Sequence, residues 1–412
     1  MTDSKLIRKK KFAILICGVL LYFLTCMAKV LIPGIIYDDL LNSGLDTRQI
    51  AGTGAAFMYA YALSQLLAGI YSNRYGGVRI LLIGGILFAC GTLGFPWVKF
   101  YPLMVICRIM AGLGAGTVFL GVVKLVSDLY SDKFAMVLGT IMFCSYFGPS
   151  CGTTPMVKLT EILSWRISMS IPGIAAALGV ITIIALMKGT VKSVTSGETL
   201  TPLFDMLKNK AMWLHCLSVS IIFGAYYILT SQLGQKSISD HCGLPATTAS
   251  TVILVLTVLV AANNVAGNFL LKLCGNRRKI ATLISFAITL AGTILGYAAF
   301  KYTNSVAMIT AAYVLIAIPA GFFPIFGMIA KELNPPEQTG LAVALLNFWC
   351  FVYIAAFQNI SGRILQFFSV TGQNSYPPAA YCGVFIFLTL TNAIGLLVYC
   401  FGKETVKKQI NS

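Results

Sequence analysis

Two basic residues stand inside stretches that are otherwise apolar. Lys29 lies in the run from Phe12 to about Ile36, and Arg108 in the run that begins near Tyr101. A charge at the centre of a bilayer costs at least about 2.5 kcal/mol, so such residues usually have work to do. Lys29 is 17 residues past Phe12, roughly 25 Å along a helix rising 1.5 Å per residue. That places it on the outer side of the midplane of a core about 30 Å thick. Arg108 enters from the opposite side and lies roughly 10 Å in, a comparable depth. Two cations facing a water-filled cavity attract an anion, and a guanidinium grips carboxylate or phosphate through two parallel hydrogen bonds. Tyr22, Cys26 and Lys29 follow at i, i+4 and i+7, one face of the first helix. The structural alternatives are a Lys29 that snorkels to the headgroups and an Arg108 that binds backbone carbonyls of neighbouring helices.

The second half offers neutral polar groups instead: Tyr226, Tyr227 and Gln232, then Asn263 and Asn264, then Asn347 and Gln358. Tyr226 and Asn347 are the ones expected to face a solute, with hydrogen bonding between helices as the alternative for each. None of the 13 acidic residues falls near a predicted midplane, and His215 lies only near the start of its run. A proton relay usually needs an intramembrane Asp, Glu or His, so exchange or uniport is favoured over carboxylate-linked proton symport. The 12 cysteines lie mostly within apolar runs and show no CxxC spacing, the pattern of buried thiols rather than of a disulfide or metal framework. With 2 histidines, no catalytic set, metal site or cofactor is expected. No G-x-x-x-x-G-K-[ST] phosphate loop occurs, so the chain alone does not run on ATP.

These residues must be positioned by membrane helices. Of the 412 residues 58% are hydrophobic and 10% are charged, whereas soluble domains carry about 25% charged residues. A span needs roughly 20 apolar residues. Such runs fall at about 12–36, 49–72, 77–98, 101–127, 134–157 and 167–187, and again at 211–233, 247–271, 279–300, 305–330, 340–364 and 380–401. The first exceeds the 7–15-residue core of a signal peptide and reads as a retained span. The expected fold is an all-α membrane protein of about twelve transmembrane helices. It has two six-helix halves, 1–187 and 211–412, joined by a polar cytoplasmic linker, 188–210. The net charge of +17 comes from basic residues flanking spans, not from a nucleic-acid surface. With the N-terminus in the cytoplasm, 21 basic residues lie inside and 7 outside. That bias puts both termini in the cytoplasm.

The halves also repeat. Gly69, Asn73, Arg74, Gly76, Gly77 and Arg79 follow the second span, and Gly267, Lys272, Gly275, Arg277 and Arg278 follow the eighth, 198 residues later. The two loops resemble the G-x-x-x-D-R-x-G-R-R signature of the major facilitator superfamily. Arg108, Gly112, Gly114 and Gly116 are similar to that family's R-x-x-x-G-x-G-x-G pattern in the fourth span. Gly148, Pro149 and Gly152 are similar to its G-P-x-x-G exchanger element in the fifth, and Trp165-Arg166 opens the sixth as in many members. Tyr59 to Gly69 resembles the second helix of its organic-anion and organophosphate branches.

The resemblance implies a secondary or facilitative transporter working by alternating access, with a central site between repeated halves. Its partners would be a small solute, a coupling ion where one is used, and the bilayer. The chain would act as a monomer in a bacterial inner (plasma) membrane. The two intramembrane cations point to an organic anion as that solute. A neutral sugar, nucleoside or amino acid is the alternative, and a non-transporting receptor a more distant one. Gly69, Asn73, Arg74, Gly76, Arg79, Gly148 and Pro149 then fall to conformational gating. The family's loop carboxylate is replaced by Asn73 here and by Leu271 in the second copy. Asn73 keeps hydrogen bonding but loses the charge-assisted part.

Overall fold

The computed structural model describes residues 2–130, 133–145, 147–188, 208–335, 338–368, 375–402 and 404–405, though not the side chains of a few helical stretches, chiefly 66–75. The greater part of the expected linker, residues 189–207, lies outside the described residues. The chain divides into two compact units, Met1–Leu200 and Thr201–Ser412.

In the first unit α1 spans Thr2–Leu31, α2 Thr47–Tyr75, α3 Gly77–Gly94 and α4 Tyr101–Leu129. The fifth helix, α5, is interrupted, with pieces at Phe134–Ser145, Phe147–Cys151 and Thr154–Ile162, and α6 covers Trp165–Leu186. In the second unit α7 runs through Lys210–Ile228, a π-helical turn Leu229–Leu233 and Gly234–Cys242. It is followed by α8, Ala246–Leu273, and α9, Arg278–Tyr302. The tenth helix, α10, comes in two pieces, Val306–Ala320 and Phe323–Glu332, before α11, Thr339–Gln366, and α12, Pro378–Cys400. No strand occurs among the described residues.

The breaks have local causes. Pro33 cannot continue a helix, since it offers no N–H, and α1 ends at Leu31 rather than near Ile36 as its hydropathy suggests. Pro149 falls within the interrupted fifth helix, and α10 breaks between Pro319 and Pro324, as the sequence leads one to expect. The start of α2 is held by a capping box: Gln49 N–H donates to the Asp46 carboxylate at 2.7 Å and Asp46 N–H to the Gln49 side-chain oxygen at 3.0 Å.

Packing repeats between the units. In the first, α4 lies against α1, α2 and α3, α6 against α1 and α3, and α5 against α1. Six helices later the same pairs recur: α10 against α7, α8 and α9, α12 against α7 and α9, and α11 against α7. Outward faces are apolar. On α6, Ile167, Ile171, Ile174, Leu178 and Ile181 form an exposed stripe at helical spacing, which water would disfavour and acyl chains accept. Ten helices among the described residues are long and apolar enough to cross a membrane. The fifth is broken into short pieces, and in the second the side chains of residues 66–75 lie outside the described residues.

Candidate solute site and gating loops

Lys29 sits in the last turn of α1 and Arg108 two turns into α4; both are buried, 7% and 3% exposed. The Lys29 ammonium lies 4.2 Å from the centroid of the Tyr61 ring, and the Arg108 guanidinium 4.5 Å from that of Phe57. Phe57 and Tyr61 are one turn apart on α2, their rings stacked with centroids 6.4 Å apart. One aromatic rail therefore carries both cations, each on a ring face whose quadrupole attracts positive charge. The burial of Lys29 within the unit replaces the headgroup-directed orientation that its position near a helix end allows.

Arg108 is also tied to the backbone. Its Nε–H donates to the Thr53 carbonyl at 3.1 Å and an Nη2–H to the Ile32 carbonyl at 3.1 Å. The second bond closes the end of α1, where carbonyls lose their helical donors and a cation is favoured. Arg108 thus joins α1 to α2 at the turn that bears Lys29. Tyr22, two turns back, is buried with its ring 5.1 Å from Phe119 of α4.

Small residues let the neighbours close in. A Cβ on Gly148 would stand 2.6 Å from the Phe23 carbonyl, and one on Gly152 3.1 Å from that of Met27. The G-P-x-x-G element is therefore where α5 meets the backbone of α1, next to Lys29. Gly112 and Gly116 of α4 face α2, at Phe57 and at Ser64, while Gly114 faces Gly84 and Phe88 of α3. These glycines serve packing.

In the second unit Tyr226 is buried edge-to-face on Tyr227, centroids 5.2 Å apart, and Tyr227 in turn approaches Phe351 of α11. Asn347 is half-buried on α11. Asn263 bridges helices, its Nδ2–H donating to the Ile318 carbonyl at 3.4 Å beside the α10 break. His215 is held between Tyr399 and the Phe326 carbonyl, at 3.2 and 2.9 Å, a structural placement.

The seventh helix extends past its expected end at 233. Lys236 and Asp240, read from the sequence as lying outside it, form a buried ion pair at 2.6 Å, one turn apart. The second Asp240 oxygen accepts from the Tyr376 N–H at 3.0 Å and the Tyr381 hydroxyl at 2.5 Å. Satisfied in this way, both charges stay within the helix; hydropathy alone cannot see such a pairing.

The comparisons with known proteins agree with this architecture. The sequence matches the Major Facilitator Superfamily over residues 14–358. The chain belongs to that superfamily of membrane transporters. As a member it is similar to the 4-hydroxybenzoate transporter PcaK of Pseudomonas aeruginosa, 24% identical over 132 residues, 32% of this chain and 30% of that one. It is also similar to the hexuronate transporter of Bacillus subtilis, 22% identical over 310 residues, 71% of this chain and 72% of that one. The chain thus spans less than a third of the first relative's length. Among solved structures, a D-xylose-proton symporter shares the fold with a TM-score of 0.72 and 16% identity, covering 96% of this chain and 98% of that one.

Of the superfamily loop in the first unit, Gly69, Asn73 and Arg74 lie on α2 with side chains outside the described residues. Gly76 adopts φ 73° between α2 and α3, a conformation that favours glycine, and Arg79 is half-buried in the first turn of α3. The second copy uses residues that its own sequence does not announce. Glu404, beyond α12, accepts from the backbone N–H groups of Arg278 at 2.9 Å and Lys279 at 3.2 Å, at the start of α9. Arg278 pairs with Glu332 at the end of α10, at 3.2 Å, and Thr405 bonds the same carboxylate. Leu271 lacks the motif's carboxylate; two acids far away in sequence supply negative charge to this corner, one at a helix N-terminus, where it is favoured.

Proposed function

We propose that this transporter moves a small organic anion by alternating access, with Lys29 as the group that meets the solute's carboxylate. The observation that carries the reading is the aromatic rail, Phe57 and Tyr61, which holds two cations from different helices inside the first unit. Arg108 adds positive potential and, through the Ile32 carbonyl, holds the turn that aims Lys29. The 4-hydroxybenzoate and hexuronate named for two relatives are both carboxylates, which supports the same class here. Proton symport through a buried carboxylate is disfavoured in a chain whose acids avoid the midplane. The basic-residue bias supports both termini in the cytoplasm; the bacterial plasma membrane follows the bacterial source of those two relatives, and the protein is taken as a monomer.

The test is uptake into proteoliposomes of labelled aromatic and sugar acids beside their neutral analogues. Saturable uptake of an acid, competed by other acids and not by the neutral analogue, is expected. Uptake of the neutral analogue alone would replace the anion with a neutral solute.

A further inference from the structure

The polar groups around the π-helical turn of α7 do not balance. Ser231 and Gln232 of that turn face Gln358 and Ser361 of α11, and all four are buried, Gln358 fully so at 0% exposure. Gln358 Nε2–H donates to Ser231 Oγ at 2.8 Å, and Gln232 Nε2–H to the Gln358 carbonyl at 3.1 Å. The single Ser361 hydroxyl hydrogen is within reach of two acceptors, Gln232 Oε1 at 3.1 Å and the Gln358 carbonyl at 3.0 Å. Ser231 directs its own hydrogen to the Tyr227 carbonyl at 2.6 Å. Gln358 Oε1 is buried with no hydrogen-bond partner.

Oxygens outnumber the hydrogens aimed at them. Turning the Gln358 amide over does not satisfy the group: Oε1 would take the Ser231 hydrogen only at the expense of the 2.6 Å bond to the Tyr227 carbonyl, and the nitrogen with its two hydrogens would then be buried without an acceptor. Buried polar groups are seldom left in this condition, and π turns collect at functional sites.

We propose that this cluster is a monovalent cation site of the sodium class, formed by neutral oxygens of α7 and α11. A small hard cation takes oxygen ligands, while a divalent ion is bound through carboxylates. Further along α7, the Asp240 carboxylate is engaged by Lys236, Tyr376 and Tyr381. Gln358 Oε1, Gln232 Oε1 and the Ser361 hydroxyl are the protein ligands. The site deepens the anion-transport reading and rests on it for its purpose. One sodium ion bound with one monovalent anion leaves the translocated load uncharged, which lessens the cost of passing it through a low-dielectric region.

The experiment measures the melting temperature of the purified full chain, without solute, in sodium, potassium or choline chloride at equal ionic strength. A saturable rise specific to sodium is expected, because a ligand of the folded state stabilises it. Gln358→Leu should abolish the rise. Should that variant fail to fold, Ser361→Ala serves, with the half-saturating sodium concentration raised roughly tenfold. Equal melting in sodium and choline, or a sodium response unchanged in Gln358→Leu or in Ser361→Ala, overturns the proposal and leaves an ordinary buried water as the partner of Gln358. An intact sodium response with no acid taken up supports the cation site while overturning the anion reading, so the two fail separately.

Discussion

Phe57 and Tyr61 stand one turn apart on α2 with stacked rings, and each bears a cation delivered by a different helix, Arg108 from α4 and Lys29 from α1. The rail explains how two positive charges share one unit of a membrane protein: each lies on an aromatic face, and Arg108 also bonds two carbonyls.

Lys29→Gln is expected to weaken acid binding by two or more decades. A unit charge pair at 4 Å interacts by roughly 4 kcal/mol at an effective dielectric of about 20, and each decade of affinity is about 1.4 kcal/mol. Lys29→Arg should retain part of the binding. Titration with the transported acid checks both, and normal transport by a folded Lys29→Gln would sink the role given to this lysine.

Arg108→Gln should lower the melting temperature as well as transport. It removes two charge-assisted hydrogen bonds, each worth about 1.5–3 kcal/mol, and frees the end of α1. Arg108→Lys cannot reach both carbonyls with one ammonium and should be only slightly better. A variant that melts as the wild type does while losing binding would assign Arg108 to the solute directly.

Two alanine substitutions on α5 should differ in sign. Gly139 has nothing within 4 Å of an added Cβ, so Gly139→Ala should stabilise by up to about 1 kcal/mol through helix propensity. Gly148→Ala drives its methyl to 2.6 Å from the Phe23 carbonyl and should cost about 1–3 kcal/mol. Thermal melts of the pair would settle this, and equal shifts would count against a close α5–α1 contact.

Glu404→Gln should loosen the corner of α9, α10 and the segment after α12 while leaving the protein folded. Asn73→Asp should act oppositely in the first unit, restoring a charge to a loop that has lost it. Both are expected to shift a conformational equilibrium. Cysteine accessibility in a thiol-depleted background reads the population, and an unchanged labelling pattern in either variant removes that residue from gating.

Reporters fused after Gly197 and after Ser412 should both report cytoplasm. A fusion found outside at either site would overturn the orientation drawn from the basic residues or the number of spans.

Much of the fold was legible because a bilayer imposes long apolar runs. The repeat was legible too: Gly69 and Gly267 mark loops at half-length offset, and the helix pairs of one unit recur in the other. What escaped was pairing over distance. Nothing near Leu271 announces Glu332 or Glu404, and hydropathy placed Lys236 outside a helix that in fact buries it against Asp240. Asn263, Gln232 and Gln358 were visible as polar residues in spans, but their partners were not.

From its sequence alone the protein was determined to be a helical membrane protein of two halves, with cations at Lys29 and Arg108 and a glycine-rich fourth helix. These follow from local composition and spacing, which the solvent reads residue by residue. Only the tertiary structure decided that Arg108 closes the end of α1, that Gly148 and Gly152 bring α5 onto that helix, and that Gln358 keeps an oxygen without a donor. Those facts depend on which faces meet. Helix faces meet through close packing and hydrogen bonds between residues as far apart as Ile32 and Arg108, or Ser231 and Gln358, and no local pattern along the chain encodes which distant partner will complete a given group.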